Sequence, residues 1–228
     1  IAALLEDLHF QVKMSKARLL TLSLALHSPL PDIACLVLMT LSKVKSPQIM
    51  PCFIDVDSFM PTYAAISPSC CVYWWETASY KQSPATLLAS YEEDPEHRRI
   101  QTLNIAAMSY FLAVLTAGTK DQVEAVAEHG VDYQNGSVIR KLCQLAGCID
   151  RESQRLSCAI LTVLGATAAV RDLIAREGLL FWLLSSFKFY NHAEDASAIK
   201  ALSVLSATFV NSTVLPGDTD VIKVLLRL

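Results

Sequence analysis

The sequence predicts an all-α protein, an α-solenoid of stacked helical repeats interrupted by one irregular insertion rich in proline and aromatic residues. Three observations lead there. Two stretches copy one another at an offset of 42 residues: with Gly136 set on Gly178, Val138 falls on Leu180, Ile139 on Phe181, Leu142 on Leu184 and Leu145 on Phe187. Further on, Ala159 falls on Ala201, Ile160 on Leu202 and Val163 on Leu205. Residues agree in kind where a helix would bury them and differ where it would meet water, and a period of that length suits a unit of two or three helices. The second observation is that Gly is scarce, seven in 228 residues, which suits helices better than a turn-rich β fold. The third is that apolar residues make up 53% and charged residues 18%. A stack of helices that buries both faces of its inner members accounts for that apolar surplus.

Residues 1–43 read as an N-terminal helical hairpin or two. Ser15 can cap a helix carrying Leu19, Leu20, Leu22, Leu24 and Ala25, and Ser28-Pro29-Leu30 makes the turn. Pro31 suits the first turn of the next helix and Asp32 its positive end, with Ile33, Leu36, Val37 and Leu41 forming the apolar face. Residues 44–97 are the irregular segment. Six of the nine prolines fall there, with Phe53, Phe59, Tyr63, Tyr73, Trp74, Trp75, Tyr80 and Tyr91. Prolines at that density exclude long helices and leave room for short ones near Ser69–Tyr80 and Ser83–Tyr91.

Residues 98–228 are expected to hold the repeats, entered from a polar hinge at Glu92–Arg99. A long helix runs from about Pro95 to Ala117 with Ile100, Leu103, Ala107, Phe111, Val114 and Leu115 on one face. Short helices are expected over Thr119–His129, closed by Gly130, and over Ser137–Cys148. Asp150 caps a helix to about Ala166 with Leu156, Ile160, Val163 and Leu164 inward. Val170, Leu173 and Ile174 then mark a short helix ended by Gly178. Leu179–Phe189, Ala193–Phe209 and Asp220–Leu228 complete the series. Both ends run directly into amphipathic patterns, Leu4-Leu5-x-x-Leu8 and Val224-Leu225-Leu226, so the chain is expected to be part of a longer array.

Charge and composition narrow the function classes. A net charge of −3 offers no basic stripe to a phosphate backbone, so no nucleic-acid partner is expected. A spanning helix needs about 20 apolar residues. Ala17–Leu41 is cut by Arg18, His27, Pro29, Pro31 and Asp32, and the clean run from Ile105 to Gly118 has the length of a core helix. No integral membrane insertion is therefore expected. Seven scattered cysteines (35, 52, 70, 71, 143, 148 and 158) suit reduced thiols in a cytoplasmic protein.

Motifs for chemistry are not found. The five histidines (9, 27, 97, 129 and 192) have no metal-ligand spacing. Cys143 and Cys148 miss the zinc pattern, Cys70-Cys71 reads as packing, and Asp55-x-Asp57 reads as a solvated loop. No phosphate-binding glycine loop or nucleophile elbow exists. Asn135-Gly136-Ser137 and Asn211-Ser212-Thr213 are chance glycosylation sequons. No catalytic residue, cofactor, metal or small-molecule substrate is expected.

The stretch Arg171-Asp-Leu-Ile-Ala-Arg-Glu-Gly-Leu-Leu-Phe-Trp-Leu-Leu-Ser-Ser-Phe187, followed by Ala198-Ile-Lys-Ala-Leu-Ser-Val-Leu-Ser-Ala207, resembles an armadillo repeat. The resemblance to armadillo/HEAT-like proteins covers roughly residues 95–228. It reaches back to Leu112–Gly130 only if about six residues near Val131–Gly136 are inserted. It implies a right-handed superhelix with three helices per unit and a protein-binding surface. The Trp and Asn rungs with which peptide-binding members clamp a backbone would fall on Leu161, Ser203, Gly165 and Ala207, so that ligand mode is not implied.

The expected function is a non-catalytic scaffold for protein–protein interaction in a larger assembly, burying a partner along the faces of Arg151–Ala166 and Ala193–Phe209. Arg155 and Lys200 on those helices, and the aromatic run Tyr73-Trp74-Trp75, are the candidate partner-binding residues. The alternative is a regulatory domain of an enzyme whose catalytic part lies outside this chain.

Overall fold

In the computed structural model, the described residues are 16–26, 28, 30–42, 44, 59–73, 76, 83–179 and 182. They form an all-α structure, with no strand among them. The helices are α1 (Lys16–Ala25), α2 (Pro31–Ser42), α3 (Met60–Ala65), α4 (Pro84–Glu93), α5 (Pro95–Ala117), α6 (Lys120–Asp132), α7 (Ser137–Ala146), α8 (Arg151–Leu164) and α9 (Ala168–Arg176), with single 3₁₀ turns at Pro68–Cys70 and Tyr133–Asn135.

Their starts are set by local chemistry. The Ser83 hydroxyl accepts the Thr86 amide before α4, and the Asp94 carboxylate accepts the Glu96 amide before α5. Asp150 accepts Ser153 N–H at 2.9 Å before α8. Before α6, Thr119 and Gln122 form a reciprocal capping box, satisfying two amides that would otherwise lack partners. Prolines sit in the first turns of α3, α4 and α5, where no amide hydrogen is needed.

The 23-residue α5 is the centre of the molecule. Helices α2 and α8 pack against it most extensively, and α3 and α4 also rest on it. Length and composition alone would let α5 cross a membrane. Here its Ala107, Met108, Tyr110, Phe111, Val114 and Leu115 are buried in the core, together with Asn104, whose side-chain oxygen accepts the Ser67 amide at 3.2 Å. α8 also packs on α7, and α6 and α9 pack on each other.

Several details depart from the sequence expectation. Phe59, Tyr63 and Ile66 lie within residues 44–97, read as an irregular insertion, yet all three are fully buried in the main core. Phe59 and Tyr63 meet Phe111 at centroid distances of 5.3 and 5.4 Å, so two of the largest side chains of this segment fill the space beside α5. On the N-terminal hairpin, Val37 and Leu41 are buried as expected, but Ile33 and Leu36 of the same expected face are exposed, as is Leu24, while Leu26 and Leu38 are buried. Gly130 does not close its helix. α6 runs through it to Asp132, and the left-handed residues are Gln134, Asn135 and Gly136. Ser15, the expected cap of the first helix, and the expected helices beyond Trp182 lie outside the described residues.

Candidate functional site

A binding surface on a helical stack is built from what each helix leaves uncovered, so the outer stripes of the long helices are the natural place to look. On α8, Arg151, Arg155, Ala159, Thr162 and Ala166 just beyond it follow a spacing of three and four residues, and each is exposed or half-buried. On α5, Arg98, Thr102, Ile105, Ser109, Leu112 and Thr116 do the same. On α2 the stripe is Asp32, Leu36 and Met39, with Ile33 beside it. The sequence pointed to a face of Arg151–Ala166 with Arg155 on it. It did not point to the stripes on α5 and α2, because only the fold shows which apolar residues of a helix hydrophobic on several sides stay outside.

The stripes have a common chemistry. Thr102, Thr116 and Thr162 donate their hydroxyl hydrogens to carbonyls four residues back, at 2.8, 2.9 and 2.8 Å. Each hydroxyl proton is thereby used within its own helix. What remains for a partner is mostly methyl and methylene surface, with charge concentrated at the helix starts. There Arg99 pairs with Asp32 at 3.6 Å, tying the first turn of α2 to that of α5. Arg155 grips Glu152 through two hydrogen bonds, at 3.0 and 2.6 Å. This contact, above all its hydrogen bonding, holds the Glu152 carboxyl below its ordinary range.

Of the expected partner-binding residues, Arg155 is exposed on the α8 stripe. Tyr73 is half-buried: its ring lies 5.5 Å from that of Trp182, and its amide donates to Glu76. One residue before it, the Val72 carbonyl accepts the Ile149 amide at 2.9 Å, so this segment is stitched to the turn between α7 and α8. Tyr73 therefore packs against the core. Trp74, Trp75 and Lys200 lie outside the described residues.

Ionisable groups inside the protein are arranged as packing. Cys143 and Cys158 are fully buried, and burial pushes the Cys143 thiol well above its ordinary range. Tyr63 and Tyr110 are likewise raised by burial. Among the described residues, no group of three or more His, Cys, Asp or Glu side chains is placed to hold a metal ion. Comparison with models of protein families, with curated proteins and with solved structures found no match.

Proposed function

We propose that this chain is a non-catalytic helical-repeat scaffold, a right-handed α-solenoid of armadillo type that binds other proteins along the outer stripes of its long helices. The observation that carries the reading is the order of packing. Helices α2, α5 and α8 pack in chain order, and α6 and α9 pack on each other and on α8. A stack in which each unit touches its neighbours in succession is the arrangement of a repeat protein, and its uncovered helix faces form an extended surface.

Local geometry supports the repeat. Gly136 and Gly178, which the 42-residue offset superimposes, are both left-handed, with φ of 80° and 73°. Thr119 and Thr167 each occupy the N-cap of a short helix, α6 and α9, that ends shortly before those glycines. Their separation exceeds the offset by six residues, which fall between Thr119 and Gly136 and supply the end of α6 and the turn that leads into Gly136. The partner is a folded protein or a helix whose apolar face lies on these stripes, with Arg155 at the rim.

The test is a reversal of charge at the rim and an insertion of charge at the centre. Arg155→Glu and Ala159→Glu are expected to weaken recovery of partners from native cells at least several-fold while far-ultraviolet circular dichroism stays unchanged. Undiminished recovery by both folded variants would sink the proposal.

A further inference from the structure

We infer that Asn135 is a site of spontaneous covalent modification, and that its conversion to aspartate and isoaspartate loosens the joint between α6, α7 and α9. The reaction needs a nucleophilic backbone nitrogen next to an asparagine side chain, with nothing in the way. Gly136 follows Asn135, so no Cβ shields the approach, and Asn135 is exposed to water. The Gly136 nitrogen attacks Cγ of Asn135, the bond from Cγ to the side-chain nitrogen breaks, and ammonia leaves. Water then opens the resulting succinimide at either carbonyl. One opening gives aspartate. The other gives isoaspartate, with the main chain routed through the side chain and lengthened by a methylene.

The surroundings tie this chemistry to the fold. Gln134, Asn135 and Gly136 are all left-handed, with φ of 45°, 58° and 80°. Left-handed backbone is unfavourable for residues with a Cβ, so packing must hold this turn in place. The packing is tight. A Cβ on Gly136 would meet a Leu173 methyl at 2.7 Å, so the turn lies directly on α9. The Gly136 amide also donates to the Tyr133 carbonyl at 3.0 Å. That bond must open before the nitrogen can attack, so the rate of conversion reports how often the turn opens. A lengthened main chain cannot restore both the bond and the contact with Leu173.

Asn104 is an internal control. It is buried, and the β-branched Ile105 follows it. The experiment is to age the folded chain at neutral pH and body temperature. Peptide mapping then follows the mass gain of amide-to-acid conversion, with an isoaspartate-specific assay and thermal melting on the same samples. Expected is progressive conversion at Asn135 without conversion at Asn104, and a melting temperature that falls as isoaspartate accumulates. The variant Asn135→Gly keeps a residue suited to left-handed backbone and removes the reacting amide, so it should melt unchanged after the same ageing. The inference is overturned if Asn135 in the folded chain stays intact for as long as the urea-unfolded chain takes to convert. It is equally overturned if the aged wild type converts but melts like the fresh protein.

Discussion

Two neighbouring glycines make opposite demands on their positions. Gly130 lies inside α6, and a Cβ there would find Val138 and Ile139 methyls at ordinary contact distances of 3.5 and 3.8 Å. Gly130→Ala should therefore stabilise the protein by about 0.5–1 kcal/mol through restricted unfolded-chain freedom, read from the urea midpoint. At Gly136 the same change meets a positive φ and the Leu173 methyl at 2.7 Å, and should cost at least about 1–2 kcal/mol. Equal effects at the two sites would contradict the turn described. The sequence marked Gly130 as the close of its helix and Gly136 only as the residue superimposed on Gly178, and local spacing did not show that Gly136 is the left-handed one. Burial decided, because ending α6 at Gly130 would have pulled the buried Tyr133 off Tyr63, whose ring it meets at 5.1 Å. The thiols give a second residue-scale outcome. Cys143 and Cys158 should resist an alkylating reagent in the folded protein and react once it is denatured, as mass spectrometry of the labelled chain would show. Labelling of the native chain at either cysteine would contradict their burial.

At the scale of the element, helix starts were legible because capping is local. Asp150 was identified from sequence as the cap of α8, and the prolines opening α2 and α5 were read correctly. Thr119 should repay testing: Thr119→Ala removes one side of the capping box and is expected to cost about 1 kcal/mol by denaturant titration. The Glu152–Arg155 pair adds a pH dependence. Glu152 titrates lower in the folded protein than in the unfolded chain, so its contribution is complete above the ordinary carboxylate range and is lost as the pH falls through its folded value. Both side chains are about half exposed, which limits the effect to no more than about 1 kcal/mol. Glu152→Gln should flatten the acid limb of the stability curve by that amount, and a steeper limb would be inconsistent with the pair. What stayed illegible at this scale was the faces of α1 and α2. Leu24, Ile33 and Leu36 are chemically equivalent to the buried Leu26 and Leu38, and only tertiary packing selects which of them is covered.

At the scale of the whole molecule, the all-α class followed from composition and periodicity, whereas the centre of the core did not. Phe59 and Tyr63 lie in a segment whose prolines suggested a peripheral insertion, yet they bind α3 to Phe111 on α5. Long-range packing of this kind has no signature in local spacing. Phe111→Ala is expected to cost about 3–5 kcal/mol, enough to unfold a marginal domain, with urea denaturation as the readout. The same neighbours explain why the outer stripe of α5 was overlooked. Ile105 and Leu112 are absent from the face expected to be inward, yet nothing local in a helix so apolar marks them as an outer stripe; their half-exposure is seen only once α2 and α8 are packed on α5. The aromatic run at Tyr73 shows the converse: it suggested an exposed anchor, and Tyr73 turns toward Trp182.

The claim that joins these scales is that partners dock on the outer stripes of the long helices. The most direct measurement is site-specific photo-crosslinking in native cells, with the crosslinker placed at Ala159 on the α8 stripe or at Glu124 on the exposed face of α6. The expected result is a discrete partner adduct from position 159 and none from position 124. Adducts from position 124 alone, or none from position 159 in a chain shown to be folded, would contradict the assignment of the binding surface.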